Sequence, residues 1–376
     1  MIPFNVPYVP EASKQYVLEA LASSHQQGDG PFTAKASIMV SDLVGGGHVL
    51  LTPSCTHALE MASMLANIGP DDEVILPSYT FTSAATAVTK FGATPVFVDV
   101  EMDTKGIDVN QVRDAISPRT KAISWVNYAG VAPDIEGLQS LAKEFDLLLI
   151  EDNAHGLGGS YKGKPLGSFG DFATQSFHAT KNIQCGEGGA LVINNPKFKE
   201  RAEIIREKGT DRSRFIRGEV EKYQWVDQGS SYLLAEVLAA QLCGQLENFS
   251  KIQDNRMNIW STYSRKFAEN PNSEKLFDIA HFKHSKNLAH MFYLVAHSME
   301  VTTQIIQTSK LAVHFHYQAL HGSEKGIYYP SSKNYFPNSL KLSSNLIRFP
   351  IWIGLPEDTQ ESAFESFLNL YEGYKL

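Results

Sequence analysis

Short apolar runs alternate with helical patterns from about residue 48 to 245 of the chain. Runs of four to eight residues bounded by turn-forming residues are typical of strands. The predicted strands cover residues 49–52, 73–77, 95–100, 121–128, 147–152, 172–177 and 189–194. The run at 147–152, LLLIED, is continuous, as expected of a strand buried on both faces. Strands that alternate with helices predict an α/β fold with a mainly parallel sheet and crossover helices.

Helical patterns follow several of these runs and extend beyond the last of them. Residues 56–67 and 197–208 have helical patterns, and a longer one extends from about 233 to 268. We interpret the longer one as a bridge to a C-terminal region with apolar runs at 291–296 and 313–317 and a final helix near 359–371. A chain of 376 residues exceeds one typical compact domain. We therefore predict a large domain at 1–245 and a smaller α+β domain at 246–376.

Composition and charge narrow the class of protein. The contents of 43% hydrophobic and 20% charged residues are ordinary for a globular protein. The sequence contains no run of about 18 apolar residues, so it predicts no membrane span. The first residues show neither the basic nor the apolar region of a signal peptide, so we expect none, and Cys55, Cys185 and Cys243 are too widely spaced for a metal or disulfide pattern. We expect a cytoplasmic protein without a metal. A net charge of −8 argues against nucleic-acid binding, although an acidic protein can hold a phosphate locally.

The first motif with chemical potential is TPSCTHALEMA, residues 52–62. A strand, a turn of small polar residues and a helix follow one another there. The N-terminus of a helix presents free N–H groups and a partial positive charge, so it can hold a phosphate. Ser54, Cys55 and Thr56 occupy this turn, although an ordinary helix cap has the same pattern. The turn lacks the GxGxxG motif that a nicotinamide or flavin site would favour.

The second and third motifs are LLLIEDNAH at 147–155 and SFHATKNIQCGEGGALV at 176–192. Ligands of parallel sheets lie at the carboxyl ends of strands, where Asp152 could keep a pyridinium nitrogen protonated. Asp152 could instead be a solvated loop acid. His155, three residues further on, could be a second contact to the cofactor ring or simply a packed histidine. Lys181 follows the next strand end, and partial burial would let its amine lose a proton easily. An isolated lysine would be a surface residue, but the order of phosphate turn, Asp152, Ser176 and Lys181 favours a cofactor site.

The chain resembles the fold-type I pyridoxal-phosphate (PLP) enzymes of the nucleotide-sugar aminotransferase family, the DegT/DnrJ/StrS type. The resemblance extends nearly end to end. It rests on the ordered segments MIPFN, GDGPFT, LLTPSCT, PSYTF, YAGVA, SFHATKN, GEGGA, RAEIIREKGT, GSSYL, AHMFY and FHYQALHG. This resemblance implies transfer of an amino group from L-glutamate to a keto-sugar nucleotide. The expected acceptor is dTDP-4-keto-6-deoxy-D-glucose, and the expected product is the 4-amino-4,6-dideoxy-D-galactose nucleotide.

The resemblance also implies a role for each site residue. Lys181 would carry the cofactor and transfer the proton, Asp152 would pair with the pyridine nitrogen, and Phe81 would stack on the ring. His155 would lie near the phenolic oxygen. The remaining expected contacts are to phosphate (Cys55, Thr56, Ser176 and, from the neighbouring subunit of a homodimer, Ser231) and to the sugar nucleotide (His316, His321, Arg212). Arg212 belongs to a basic cluster, Arg206, Lys208, Arg212, Arg214 and Arg217, for which a solvated basic face is the alternative.

Departures from the family pattern leave the cofactor expectation unchanged but affect the substrate. Ser231 replaces a common Asn, Asn127 a common His, and Asn153 a usual small apolar residue, while the segment 297–312 is short. Alternative functions are amination of a 3-keto sugar, or a non-catalytic ligand-binding or regulatory protein on this fold. A sugar dehydratase of this family would have histidine instead of Lys181, and a sugar-nucleotide oxidoreductase would need a dinucleotide motif.

Overall fold

A computed structural model describes residues 2–282, 284–308, 313–329 and 335–373. Two sheets organise these residues, a large one in the first half of the chain and a small one near its end. Their strands, with a two-residue hairpin between them, are β1 (His48–Thr52), β2 (Glu73–Pro77), β3 (Thr94–Val98), β4 (Thr120–Val126), β5 (Leu148–Asp152), β6 (Ser160–Tyr161), β7 (Lys164–Pro165), β8 (Phe172–Ser176), β9 (Gly189–Ile193), β10 (Phe277–Ile279), β11 (Phe292–Ala296) and β12 (Leu346–Phe349).

Helices cover both faces of the large sheet and surround the small one. They are α1 (Glu11–Ala22), α2 (Pro31–Leu43), α3 (Cys55–Leu65), α4 (Ser83–Thr89), α5 (Val109–Ala115), α6 (Ile135–Phe145), α7 (Lys199–Arg206), α8 (Arg212–Ile216), α9 (Glu236–Glu247), α10 (Phe249–Glu269), α11 (Ser273–Leu276), α12 (Met299–Thr308), α13 (Pro337–Asn345) and α14 (Glu357–Gly373). None of the helices in the described ranges is long and apolar enough to span a membrane.

The large sheet has the strand order β1-β9-β8-β5-β4-β2-β3. Its pairings from β3 through β8 are parallel, and β9 is antiparallel to both β8 and β1. The predicted α/β fold with a mainly parallel sheet is therefore confirmed. The carboxyl ends of β1, β4, β5 and β8 meet at one edge of the sheet, because these strands run in the same direction.

The C-terminal part has its own antiparallel sheet, β10-β11-β12, covered by α10 and α14. A separate aromatic core fills the space between this sheet and these helices; it includes Tyr263, Phe292, Phe349 and Phe364. This arrangement is compatible with the predicted large and small domains, whose boundary at residue 245 stays a prediction.

Two segments of the C-terminal half have a local structure that the sequence patterns left unspecified. The long helical pattern at 233–268 contains two helices, because Ala235 is extended and Asn248 leaves helical geometry, with its side chain donating a hydrogen bond to the Gly244 carbonyl (2.8 Å). The run at 313–317 forms no strand; its one bridge joins His314 to Arg348. In the segment at 297–312, α12 includes residues 299–308, and residues 309–312 lie outside the described part of the chain.

Candidate active site

A cavity of about 650 Å³ lies between the carboxyl edge of the large sheet and the small sheet. Asp152 at the end of β5 and Ser176 at the end of β8 form part of its wall, and Arg348 of β12 lies in the part contributed by the small sheet. The volume falls within the range of natural small-molecule sites. Chain segments far apart in sequence thus form one site, at the place where parallel sheets bind ligands.

The N-terminus of α3 points its first N–H groups toward this cavity. Ser54 caps the helix by accepting a hydrogen bond from the His57 N–H (3.2 Å), and Cys55 and Thr56 line the cavity. The first N–H groups of any helix lack intrahelical partners. Gly189 approaches this turn so closely that a Cβ there would come within 2.4 Å of the Cys55 nitrogen. Glycine in the GEGG turn therefore allows β9 to pack against the start of the helix.

Asp152 is a buried carboxylate at the floor of the cavity, with 5% of its surface exposed. It accepts a hydrogen bond from the Ala154 N–H (3.1 Å), and the Cys55 thiol lies 3.9 Å from its Oδ1. Burial raises the pKa of Asp152, whereas the Ala154 N–H and the Lys181 charge oppose this shift. A bound cation would therefore favour its ionised form.

Lys181 follows β8 and reaches the same cavity. The pKa of its amine is lowered to about 8, mainly by burial and in smaller part by the Arg348 charge, while Cys55 and Asp152 act in the opposite direction. An amine with this pKa is partly unprotonated near neutral pH, which a nucleophilic lysine requires.

Three histidines and a tyrosine form a stacked group in the cavity wall. His155 stacks on His290, with ring centroids 4.3 Å apart, and His316 stacks on Tyr317 at 3.6 Å. The Ala129 N–H donates to Nδ1 of His155 (3.2 Å), so the neutral ring carries its proton on Nε2, 3.1 Å from the Tyr317 hydroxyl. Burial lowers the pKa of all three histidines, which are therefore neutral at pH 7.

The structure brings most of the predicted site residues together. Those that line the cavity are Cys55, Thr56, Phe81, Asp152, His155, Ser176, Lys181 and His316. Phe81 has 55% of its surface exposed and lies 5.9 Å from the Tyr317 ring, measured between centroids. The Thr56 hydroxyl contacts that of Ser83 (2.7 Å), and the Tyr128 hydroxyl contacts Nδ1 of His316 (2.7 Å).

The other three predicted residues do not line this cavity. His321 bonds to the Ser78 hydroxyl (2.6 Å) and stacks on Phe336, while Arg212 pairs with Glu207 (3.4 Å). Ser231 is exposed. The basic cluster is also neutralised within the chain: its ion pairs include Arg206–Asp29, Lys208–Glu207, Arg212–Glu207, Arg214–Glu200 and Arg217–Glu203. The roles of His321, Arg212 and Ser231 stay predictions.

Sequence reasoning missed several residues of the cavity wall. His290 lies within AHMFY, but no role was assigned to it; Tyr317 is part of FHYQALHG. Phe4 and Arg348 also line the cavity. Arg348 could have been noticed in the sequence, because it is a charged residue inside the short apolar run LIRF.

These residues suit the chemistry of PLP. The cofactor needs an amine that can form a covalent bond, an acid for its ring nitrogen, and donors for its phosphate. Lys181, Asp152 and the start of α3 offer these groups around one cavity. The fold and the site therefore define a PLP-dependent enzyme of fold type I.

Comparisons with known proteins identify the family. The DegT/DnrJ/EryC1/StrS aminotransferase family matches residues 7–367, and the chain belongs to it. The chain is 32% identical to the protein MJ1066 of Methanocaldococcus jannaschii over 347 residues, covering 88% of this chain and 87% of that one. It is 27% identical over 388 residues to the spore coat polysaccharide biosynthesis protein SpsC of Bacillus subtilis strain 168, covering 99% and 97%.

A solved structure of a related protein supports the same family assignment. Spr1654 of Streptococcus pneumoniae, assigned as a sugar aminotransferase, superposes in its PLP form with a TM-score of 0.88 at 26% identity, covering 99% of each chain. A second structure of Spr1654 is its PMP form. The chain described here is therefore a PLP-dependent sugar aminotransferase, as the sequence predicted.

Proposed function

We propose that this enzyme transfers the amino group of L-glutamate to dTDP-4-keto-6-deoxy-D-glucose, giving dTDP-4-amino-4,6-dideoxy-D-galactose. The observation that carries the proposal is that Lys181 and Asp152 line the same cavity, at the carboxyl edge of the sheet. The sugar assignment rests on sequence resemblance along almost the whole chain, including GDGPFT, AHMFY and FHYQALHG. A cytoplasmic location remains part of this proposal.

Each residue of the site has a role in this reaction. When bound, PLP supplies an electron sink for the carbon that loses or gains a proton. Lys181 carries the cofactor between turnovers and moves the proton as general base and then general acid. With the cofactor bound, Asp152 would place its charge near the ring nitrogen, Phe81 would cover a ring face, and His155 would lie near the phenolic oxygen.

The phosphate and the sugar nucleotide use the remaining polar groups. The N–H groups of Cys55 and Thr56, with the Ser176 hydroxyl, hold the cofactor phosphate. His316, fixed by the Tyr128 hydroxyl, faces the sugar from the cavity wall. His321 and Arg212 do not reach the cavity of their own chain, so we assign them to the outer part of the nucleotide path or to the partner's site.

The product configuration tests the reaction. Purified enzyme is incubated with PLP, glutamate and a panel of 4-keto and 3-keto sugar nucleotides, and the products are analysed by NMR. We expect turnover of the dTDP-4-keto sugar and an axial amine at C4. An equatorial amine at C4, or amination at C3, would show that the substrate assignment is wrong although the family assignment holds.

We also propose a homodimer in which Ser231 contacts the partner's cofactor phosphate. Ser231 is exposed and does not line the cavity of its own chain. Nearby, Phe215, Ile216, Tyr223 and Trp225 are exposed, with Trp225 79% exposed. Exposed apolar groups of this kind mark a protein interface.

Hybrid dimers test the shared site. Lys181→Ala and Ser231→Asp are each expected to be inactive, the second because its carboxylate repels the phosphate. Mixing them should restore about a quarter of the wild-type rate, since half of the dimers are hybrids with one intact site. Ser231 acting within its own chain would give no recovery, and a competent monomer in sedimentation would refute the dimer.

A further inference from the structure

Arg348 brings a positive charge with unused hydrogen-bond donors to the cavity. Its Nη2 donates to the Phe315 carbonyl (3.2 Å), while its Nε is buried without a hydrogen-bond partner. Within the described ranges, no carboxylate forms an ion pair with it. A buried donor without a partner is costly, so a guanidinium in this state is suited to an anionic ligand.

The other cations in the described cavity wall are already engaged. Arg256 donates to the carbonyls of Ala289 (3.1 Å), His290 (2.7 Å) and Ile351 (3.0 Å), and burial lowers its pKa to about 10. Lys181 is assigned to the cofactor. The stacked histidines His155, His290 and His316 are neutral at pH 7, and the fourth histidine of the wall, His178, faces the Glu187 carboxylate (3.6 Å). Among the described residues that line the cavity, Arg348 is therefore the fixed charge that remains for a substrate.

The surroundings of Arg348 hold its guanidinium in a defined place. The residue lies in β12, where it pairs with Tyr293 of β11 and bridges His314. The Phe4 ring lies beneath the guanidinium, 4.9 Å from ring centroid to Cζ. The Phe4 ring and the Phe315 carbonyl therefore fix the position of the guanidinium. The N–H groups on its free edge form a planar pair of donors, whose geometry matches the two oxygens of a carboxylate.

Depth favours a small anion over the nucleotide diphosphate. The Nε of Arg348 is buried in the wall of the cavity, and the charge of this residue acts on Lys181, His290 and His316. An amino acid must place its amine-bearing carbon beside Lys181, so its carboxylate enters this inner region. A sugar nucleotide must instead extend its diphosphate and base toward solvent, because these groups are far from the reacting carbon.

We propose that Arg348 binds a carboxylate of the amino donor, and that the sugar nucleotide does not use it. This inference rests on the proposed aminotransferase function. The two half-reactions can be measured separately, because the amino donor converts the cofactor from its PLP to its PMP form without any sugar. Failure of the function and failure of this inference are therefore distinguishable: wild-type enzyme that is not converted by glutamate contradicts the function itself.

The test uses holoenzyme carrying Arg348→Gln, Arg348→Lys or the control Arg265→Gln, which removes an exposed guanidinium of α10. Arg348→Gln should raise the glutamate concentration for half-maximal conversion about 100-fold, since a charged hydrogen-bonded pair is lost. Arg348→Lys should fall between this variant and wild type. Conversion back by the keto-sugar nucleotide should change less than about twofold.

Binding without turnover gives a second measurement. Calorimetry with glutarate, a dicarboxylate without an amine, should show the same loss of affinity in Arg348→Gln, while the affinity for dTDP is unchanged. Weakened dTDP binding with normal glutarate binding would overturn the proposal in favour of the diphosphate. Unchanged binding of both ligands, or an equal loss of both, would also overturn it. If Arg348→Gln does not fold, Arg348→Lys carries the same test.

Discussion

Replacement of Asp152 by asparagine is expected to lower turnover by roughly 10²–10³-fold while the protein stays folded. Asparagine has nearly the same shape and can still accept the hydrogen bond from the Ala154 N–H. It cannot carry the negative charge that keeps the cofactor nitrogen protonated. The electron sink therefore weakens in the transition state, while the ground-state contacts are preserved.

The neighbouring acid, Glu151, provides a matched control. Successive side chains of a strand point to opposite faces, so Glu151 points away from the cavity. It is fully buried and accepts hydrogen bonds from the Gly167, Phe169 and Gly170 N–H groups and from the Asn127 amide. Glu151→Gln should cost about 1–3 kcal/mol of folding free energy, because one amide cannot serve all of these donors.

Asp152→Asn and Glu151→Gln together distinguish a carboxylate that is needed for catalysis from one that is needed for stability of the fold. Asp152→Asn should have a nearly normal melting temperature and a strongly reduced kcat, measured with saturating PLP. Glu151→Gln should show the reverse, a lower melting temperature with a nearly normal kcat per folded molecule. Near-normal turnover in Asp152→Asn would contradict the role that we assign to this residue.

Much of the fold could be predicted because its strands are short, apolar and buried. The run LLLIED predicted the bounds of β5 to within one residue, and the alternation of strands with helices predicted a mainly parallel sheet. The break at Asn248 could not be predicted in this way, because α9 and α10 continue the same apolar pattern across it. The run at 313–317 was apolar enough for a strand, but it has only an isolated bridge to β12.

The same reasoning explains which site residues the sequence found. Asp152, Ser176 and Lys181 lie at strand ends, whose position in a parallel sheet is known in advance. Arg348 and His290 enter the cavity from the C-terminal part of the chain, so their place depends on how the two sheets pack. Nor could local sequence show that His321 would bond to Ser78, or that Arg212 would pair with Glu207.

Lys181→Ala is expected to have the largest effect, a loss of turnover of at least about 10⁴-fold, because it removes the general acid–base group. The covalent attachment of the cofactor is lost with it. Lys208→Ala is the matched control, since this lysine is half-exposed and pairs with Glu207 (3.1 Å), away from the cavity wall. It should retain normal turnover and the yellow colour of the holoenzyme.

The pH dependence of cofactor capture follows from the lowered pKa of Lys181. The free amine is the nucleophile, and with a pKa of about 8 its fraction rises as the pH increases through 8. Uptake of PLP by the apoprotein should therefore become about tenfold faster from pH 7 to 9 and level off above pH 9, whereas the free fraction of an ordinary lysine, with a pKa near 10.4, would still be small at pH 9 and would keep rising beyond it. In the folded apoprotein Lys181 loses its proton at a lower pH than in the unfolded chain. Its contribution to stability therefore increases between pH 8 and about 10.5.

Borohydride reduction identifies the attached lysine directly. The wild-type holoenzyme should retain PLP on the peptide that contains Lys181, as measured by mass spectrometry after proteolysis. Lys181→Ala should retain no label and should show no pH-dependent yellow product with PLP. A label on another residue such as Lys208, or uptake that does not change between pH 7 and 9, would contradict the assignment. Burial of one amine beside Asp152 is the physical reason to expect the first result, because it makes Lys181 a better nucleophile than the solvated lysines at neutral pH.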